Sequence, residues 1–410
     1  MCIGSGRRFC KWVLAGMIAA AAAVPSRWAG GQESPAKPAE EPAPPAKPDP
    51  FAVPKGTPEE LLKYIEELKL ARPSADSGEV VLEFRKKQFA ALLEAAERIL
   101  AAKPKDEQAK PAVQYTVIAL GMLARLGDRN AEKKLEALPD ELAKGGLPAL
   151  AHDARIMVLA HRLQRTDPAD GEAMAKLATD VKACVGEGEP DRAAAGLAIQ
   201  TAMAVEAGGD QPLAAKTYAA LAKVLAKSQE REVTKLVALM QGAVRRLSLP
   251  GKPFTLTGTT VAGKPLDWKQ YAGKVVLVDF FATWCKPCRA EMPNIQENYE
   301  AYHARGFDVI GVSVDHKRAD LEEYLHEHPH PWTVLLDASE AAGTDNSLAT
   351  YYGIIGIPQT VLVGRDGKVI ALGVRGPQLG ERLEKLLGPA KEKDAGGKRK
   401  GEGGRGKAEE

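Results

Sequence analysis

Hydrophobic positions follow two different periods along the chain. Between residues 57 and 248, apolar side chains recur every three or four positions. In "TPEELLKYIEELKL", for example, Leu61, Ile65 and Leu68 share one helix face, and Thr57 is suited to cap the first turn. The pattern predicts an all-α domain over 57–248.

Helix starts in this domain recur roughly every 20 residues, which is typical of stacked helical hairpins such as tetratricopeptide-like repeats. No signature residues recur at fixed positions, so a degenerate repeat and a single irregular bundle both remain open. Cys184 lies near the end of one predicted helix. A lone cysteine there is expected to be a buried core residue, with an intermolecular disulfide as the alternative.

From residue 249 onward, short apolar runs alternate with helical segments. Five runs predict strands: "KVVLVDFFA", "GFDVIGVSVD", "WTVLLD", "PQTVLVG" and "KVIALGV", the last two paired across the turn "RDGK". An additional β-hairpin is predicted at "KPFTLTGTTVAGKPLDW", Lys252–Trp268. The alternation predicts an α/β domain over 249–388, with a mixed sheet covered by helices on both faces.

Three segments have compositions unlike a folded domain. Residues 1–30 run from basic to apolar to small side chains, the order of a secretory signal. An uncleaved membrane anchor is the alternative, although the apolar run is short for a full span. Residues 31–56 form a Pro/Ala-rich linker, and residues 389–410 form a charged, glycine-rich tail predicted to be disordered. We therefore expect an exported, extracytoplasmic (periplasmic) protein, secreted or tethered.

Charge and cysteine content exclude several classes of function. The formal net charge of the 410 residues is +2, too small to favour nucleic acid as a partner. Cys2 and Cys10 precede the apolar stretch and would leave with a cleaved signal. The remaining three cysteines are too few for a disulfide-stapled fold or a thiolate zinc site. No metal and no cofactor is therefore expected.

Cys285 and Cys288 stand between a predicted strand and a predicted helix in "FFATWCKPCRAEMP". The N-terminus of a helix presents unpaired N–H groups and the positive end of the dipole, which stabilise a thiolate. Cys285 is expected at that exposed end, and Cys288, one turn further, is expected to be more shielded. The spacing allows a short disulfide, so the pattern predicts attack on a substrate disulfide by Cys285 and resolution by Cys288.

The segment "VVLVDFFATWCKPCRAEMP" resembles the active-site segment of the thioredoxin superfamily. With "GFDVIGVSVD" and "YGIIGIPQTVLVGRDGKVI", it is most similar to the extracytoplasmic thiol-disulfide oxidoreductases of the TlpA/ResA kind. The resemblance covers about 250–388 and implies a thioredoxin fold there. It also implies a thiol-disulfide oxidoreductase activity for the chain.

The resemblance implies a substrate-docking surface beside the two thiols. Trp284 would border them and help to shape that surface. Pro358 would be the cis-proline that faces the disulfide, leaving the backbone of Ile357 free to pair with an extended substrate strand.

Two acidic residues are implied near the pair. Asp279 matches a buried acid behind the resolving thiol, a candidate proton acceptor for Cys288. Glu291 matches an acidic residue near the pair in the TlpA/ResA relatives. The alternatives are a structural polar group paired inside the sheet for Asp279 and an ordinary first-turn acid for Glu291.

Lys286 departs from the thioredoxins, which carry glycine between the cysteines. A cation next to Cys285 is expected to lower its pKa and to favour the reduced form. This effect would make the couple more oxidising, against the reductant role that the resemblance suggests.

Three further titratable side chains, His326, His328 and His330, occupy alternate positions in "HEHPHPW". Imidazoles at such spacing could bind zinc or copper. Solvated loop histidines are the favoured interpretation.

The favoured function is an exported thiol-disulfide oxidoreductase that reduces disulfides in exported proteins, with apocytochromes as candidate substrates and a membrane protein as the electron donor. A disulfide oxidase or isomerase is the nearest enzymatic alternative. An alternative from another class of function is a protein-binding scaffold, in which the helical domain binds a partner and the thioredoxin domain senses redox state.

Overall fold

The structure is a computed structural model that describes residues 49–337 and 347–390. The predicted signal at 1–30, most of the linker and nearly all of the tail lie outside the described residues. Two compact units form, one from the described parts of Met1–Leu213 with Lys223–Val233, the other from Ala214–Ala222 with the described parts of Thr234–Glu410. None of the described helices is both long enough and apolar enough to cross a bilayer.

The region from Pro58 to Leu247 is helical, as predicted. The first helix begins with a capping box, in which Glu60 N–H donates to Thr57 Oγ1 and Thr57 N–H donates to Glu60 Oε2 at 2.7 Å. The described helices are α1 (Pro58–Leu70), α2 (Gly78–Ala101), α3 (Asp106–Arg125), α4 (Arg129–Lys144), α5 (Pro148–Arg165), α6 (Gly171–Val185), α7 (Arg192–Ala207), α8 (Gln211–Leu225) and α9 (Arg231–Leu247).

Small side chains let the helices of the first unit pack closely. Ala95, Ala96, Ala112 and Ala119 are fully buried where α2 and α3 contact each other. Consecutive helices are in contact, and so are α3 with α5 and α5 with α7. Such local contacts are those of stacked helical hairpins, although the degenerate repeat itself stays a prediction.

Cys184 is buried and unpaired in α6. Burial raises the pKa of its thiol to about 11. At neutral pH this thiol is therefore protonated and a poor nucleophile, as expected of a core cysteine.

The second unit contains a five-stranded mixed sheet in the order β3-β2-β1-β4-β5. Strands β1, β2 and β3 are parallel, whereas β4 runs antiparallel to both β1 and β5. The elements are β1 (Val275–Phe281), α10 (Lys286–Tyr302), β2 (Phe307–Ser313), α11 (Arg318–Glu327), β3 (Thr333–Leu336), α12 (Leu348–Tyr351), β4 (Gln359–Val363), β5 (Val369–Leu372) and α13 (Pro377–Leu387). The predicted thioredoxin fold is confirmed.

Strand β1 is buried along its whole length because both faces of the sheet are covered. Leu277 and Phe281 face a core that includes residues of α10, α11 and α13. Val278 and Phe280 face the opposite core, which includes Tyr352 directly after α12. This burial explains the uninterrupted apolar run that predicted a central strand.

The predicted hairpin at Lys252–Trp268 is present only in part. An antiparallel bridge pairs Thr259 with Pro265, but the segment contains no strand. Its other bridges join it to the turn between β4 and β5 and to β3. Phe254 and Leu256 are buried against the sheet. Their alternation with polar residues therefore reflects an extended segment that packs on the sheet and pairs with it at isolated positions.

The three histidines at and after the end of α11 do not share one environment. His326 and His328 are exposed, as expected, but the expectation of a solvated ring is wrong for His330. Both ring nitrogens of His330 are buried, with no hydrogen-bond partner in the described part of the chain, and the ring stacks on Trp332 at 4.8 Å between centroids. Within residues 49–337 and 347–390, no cluster of side chains could hold a metal ion.

We expect His330 to make the protein sensitive to acid. Burial, with a smaller contribution from His328, lowers the pKa of His330 to about 4. An unfolded chain takes up this proton below about pH 6.5, so stability falls as the pH drops from about 6.5 towards 4. His330→Phe should prevent about 1 to 2 kcal/mol of that loss, because phenylalanine takes up no proton; the figure allows for partial solvation of the ring.

Urea unfolding at pH 7 and pH 4.5 measures this difference. His326→Phe is the matched control, because that side chain is exposed at the end of α11. An equal loss of stability in His330→Phe and the unmodified protein would contradict the prediction.

Candidate active site

The two cysteines lie where β1 leads into α10. Cys285 is the N-cap residue of α10, and Cys288 N–H donates to Cys285 Sγ at 3.1 Å. A disulfide joins the two side chains, with their Cα atoms 5.3 Å apart. The exposed fraction is 5% for Cys285 and 0% for Cys288. Cys285 is thus the more accessible sulfur, although it is less exposed than the sequence suggests.

A carboxylate missed by the sequence analysis fixes the turn before Cys285. Asp315, directly beyond β2, accepts hydrogen bonds from Thr283 N–H at 3.1 Å and from Thr283 Oγ1 at 2.7 Å. Ser313 Oγ in turn donates to Asp315 Oδ2 at 2.7 Å. These bonds hold the chain two residues ahead of Cys285, so Asp315 positions the turn that carries this cysteine.

A third segment reaches the disulfide just before β4. The Ile357–Pro358 peptide bond is cis, the isomer that the resemblance implies. Cys285 Sγ lies 3.8 Å from the carbonyl oxygen of Ile357. Trp284 is 53% exposed beside the sulfurs. Ile357 thus contacts the disulfide directly, Trp284 and Pro358 are chain neighbours of the two contacting residues, and the docking role of all three stays a prediction.

Asp279 lies in β1, on the same face of the sheet as the core that contains Cys288. Its exposed fraction is 2%, and its Oδ1 has no hydrogen-bond partner among the described residues. Burial is the main cause that raises its pKa to about 7; the charge of Glu291 adds to the rise and that of Arg375 opposes it. A carboxyl with this pKa can take up a proton near neutral pH.

Glu291 lies in the second turn of α10 and is held in place by neutral donors. Its Oε1 accepts hydrogen bonds from Gly376 N–H and from Asn294 Nδ2, both at 2.7 Å. Asn294 Nδ2 also donates to the carbonyl oxygen of Gly376 at 3.2 Å. Glu291 therefore ties α10 to the loop between β5 and α13, and its charge acts on Asp279 from there.

Replacement of Asp279 by asparagine should stabilise the oxidised protein at neutral pH and slow resolution by Cys288. The folded protein ionises this carboxyl only near pH 7, whereas an unfolded chain ionises it near pH 3.8. Its contribution therefore becomes less favourable as the pH rises from about 3.8 to 7. Asp279→Asn should gain more than about 1 kcal/mol at pH 8, since one pKa unit corresponds to about 1.36 kcal/mol.

Urea unfolding of the oxidised protein between pH 4 and pH 8 tests the stability effect. Stopped-flow release of the resolved product tests the kinetic effect, which we expect to be about 10- to 100-fold. Asp320→Asn, an exposed first-turn acid of α11, is the control. An unchanged pH profile in Asp279→Asn would contradict the prediction.

The structure thus brings all the predicted site residues to one end of the sheet, and it adds two that the sequence analysis missed. Asp315 follows a strand in the short motif Ser313-Val314-Asp315, which was the available signal. Arg375 gave no local signal, because its proximity to Asp279 depends on the return of the chain after β5.

Comparisons with known proteins agree with this geometry. The Redoxin family model matches residues 248–386. Thiol-disulfide oxidoreductase ResA of Bacillus thuringiensis subsp. konkukian is 32% identical over 129 residues, which cover 32% of this chain and 70% of the relative. ResA of Bacillus anthracis is 30% identical over the same length and with the same coverage.

Among solved structures, the thioredoxin domain of a thiol-disulfide oxidoreductase from Bacteroides vulgatus is 31% identical. That match covers 34% of this chain and 97% of that domain, with a TM-score of 0.31. On the ResA and Redoxin matches, the chain belongs to the TlpA/ResA-like branch of the thioredoxin superfamily. It is a thiol-disulfide oxidoreductase. Helices α1–α9 lie outside the matched Redoxin residues.

Proposed function

We propose that the protein reduces disulfides in exported proteins with the dithiol form of Cys285 and Cys288. The observation that carries the proposal is the N–H of Cys288 directed at Cys285 Sγ at 3.1 Å. In the reduced protein the same N–H stabilises negative charge on Cys285, together with the positive end of the α10 dipole. Cys285 is then the attacking thiolate.

The exchange proceeds in two balanced steps. Cys285 thiolate attacks one sulfur of the substrate disulfide, a Cys285–substrate disulfide forms, and the first substrate sulfur leaves as a thiolate that takes up a proton. Cys288 then gives its proton to Asp279 and attacks Cys285 Sγ, which releases the second substrate sulfur. Two electrons pass to the substrate, and the Cys285–Cys288 disulfide remains for an external dithiol donor to reduce.

The backbone at Ile357 aligns the substrate during the first step. An extended segment that pairs with this backbone brings its cysteine to Cys285 Sγ, because the Ile357 carbonyl lies 3.8 Å from that sulfur. Trp284, directly before Cys285 and 53% exposed, offers an apolar surface to the same substrate segment. Recognition therefore uses main-chain groups and is compatible with many protein sequences.

The place of action follows from the N-terminal residues 1–30, which have the order of a secretory signal or an anchor. An exported reductant draws electrons from a donor at the membrane, since its surroundings are oxidising. The helical unit supplies a surface of its own for a protein partner. Its scaffold role stays a prediction.

Lys286 supports the rival direction of exchange. Its side chain is exposed next to Cys285, where a positive charge favours the reduced thiolate form. A couple stabilised in its reduced form donates disulfides more readily, as an oxidase or isomerase does. The direction is therefore decided by the reduction potential of the couple.

Equilibration of the Cys285–Cys288 couple in defined thiol buffers measures that potential. A value near roughly −270 mV supports a reductant, and one near roughly −120 mV supports a disulfide donor or isomerase. We expect Lys286→Gly to lower the potential by about 10 to 30 mV, because one exposed neighbouring charge has a modest effect. Lys286→Arg keeps the charge and serves as the matched control. Equal potentials for Lys286→Gly and Lys286→Arg would remove the role assigned to Lys286.

A further inference from the structure

The segments that surround the disulfide carry exposed cations. Lys286 and Arg289 lie in the first turn of α10, on either side of Cys288. Lys317 lies two residues after Asp315, which binds the turn before Cys285. Arg375 directly precedes Gly376, whose N–H donates to Glu291. We call Lys286, Arg289, Lys317 and Arg375 the basic rim.

The basic rim has no partner within the part of the chain that the structure describes. None of its four side chains forms an ion pair there, whereas the next cation along the chain, Arg318, pairs with Glu322 at 2.7 Å. Exposed cations are usually accompanied by acidic neighbours on a chain whose net charge is only +2. Four unpaired cations at one site therefore form a local positive field.

The carboxylates close to the disulfide are not available to form ion pairs with basic side chains of a bound substrate. Asp279 and Asp315 are buried, and the Oε1 of Glu291 is occupied by two N–H donors. Their charges offset part of the field of the basic rim, but they face inward. Asp320, in the first turn of α11, is the exposed acid closest to Lys317 in sequence, and no ion pair joins the two among the described residues.

We infer that the basic rim selects substrates whose disulfide is flanked by aspartate or glutamate. This inference rests on the proposed function, because it assumes that a substrate strand is aligned at Ile357. In such a strand, successive side chains point to opposite sides. Acidic residues within two positions of the substrate cysteine therefore occupy both faces of the strand, and those that share the face of the cysteine point towards the segments that carry the basic rim. Complementary charge raises the rate of encounter and fixes the register of the strand.

Rates of reduction of synthetic peptides test the inference. Each peptide contains one intramolecular disulfide flanked by two glutamates, two glutamines or two lysines, and the reduced full-length chain is the reductant. At 20 mM salt, the glutamate peptide should react about tenfold faster than the glutamine peptide, and the lysine peptide should react more slowly than both. At 500 mM salt the three rates should converge, because exposed charges are screened.

The double variant Lys317→Gln with Arg375→Gln should lose most of the preference for the glutamate peptide. Any effect of Arg375→Gln on the pKa of Asp279 is shared by all three peptides, so the preference is measured as the ratio of the glutamate-peptide rate to the glutamine-peptide rate. The double variant Arg382→Gln with Lys385→Gln removes the same charge from α13 and should keep the full preference.

Equal rates for the three peptides at low salt, or a preference that survives the Lys317 and Arg375 substitutions, would overturn the inference. In both cases the proposed function stands, since the peptides are still reduced. Failure of the chain to reduce any peptide or hydroxyethyl disulfide would instead overturn the proposed function, and the inference with it.

Discussion

Replacement of Cys285 by serine should abolish disulfide exchange, whereas replacement of Cys288 should trap its first product. Cys285 is the more accessible of the two sulfurs and receives the N–H of Cys288. A serine hydroxyl cannot form the mixed disulfide, so we expect a rate more than about 1,000-fold lower with a disulfide peptide. The Cys288→Ser variant can form the mixed disulfide but cannot resolve it.

Mass spectrometry after non-reducing electrophoresis measures the trapped species. Cys288→Ser should accumulate a one-to-one adduct with the peptide through Cys285, and Cys285→Ser should form none. Cys184→Ser is the control, because its buried thiol is protonated at neutral pH and should leave the exchange rate unchanged. An adduct on Cys288 in the Cys285→Ser variant would reverse the assignment of the two sulfurs.

The positions of the helices and strands could largely be predicted from the sequence because their signals are local. β1 and β2 are apolar runs bounded by glycine, and the structure buries both along their whole length. The start of α10 was predictable as well, since the strand ends directly before the cysteine pair. The same local logic was right only in part at Lys252–Trp268, where an extended segment with two buried, alternating side chains forms isolated bridges instead of paired strands.

The electrostatics of the site could not be predicted in the same way. The contacts of Asp315 with Thr283 and of Glu291 with Gly376 join residues that are far apart in sequence. His330 lies in a polar stretch that indicates solvent, yet its ring is stacked on Trp332. Such environments depend on which loops the fold brings together, and no periodicity in the chain reports that.

The resemblance supplied what local patterns could not. An acidic residue in β1 and a proline before β4 do not indicate a function when they are considered without the motifs around them. The motifs around the cysteines indicated which acid and which proline to follow, and the structure places both Asp279 and Pro358 at the end of the sheet that holds the disulfide. The helical unit had no such guide, so its fold was predicted but its role was not.

A large loss of stability is expected when Gly242 in α9 is replaced by a residue with a side chain. A Cβ at this position would lie less than 3.0 Å from the carbonyl oxygen of Thr350 and the N–H nitrogen of Gly353. Both are main-chain atoms, one in α12 and one directly after it in the segment that leads towards Pro358, so no side chain can move aside. Arg246, one turn further along α9, donates from Nε to the carbonyl oxygen of Tyr352 at 3.1 Å. The helix and this segment therefore touch through their backbones.

Gly242→Ala should destabilise the second unit by about 3 kcal/mol, because either the helix or the segment must shift. The corresponding fall in Tm is roughly 6 to 12 °C for a unit of this size. Gly196→Ala in α7 is the matched control, since a Cβ there meets no atom within 4 Å. Alanine is the better helix former, so that variant should gain about 0.5 to 1 kcal/mol.

Differential scanning calorimetry of the full chain separates the two variants. We expect the transition of the second unit to move down in Gly242→Ala, and the transition of the first unit to move slightly up in Gly196→Ala. Gly242→Ala should also slow peptide reduction, because a displaced segment after α12 alters the position of Ile357 relative to Cys285 Sγ. A Gly242→Ala protein that melts like the unmodified chain would show that α9 does not pack on this segment in solution.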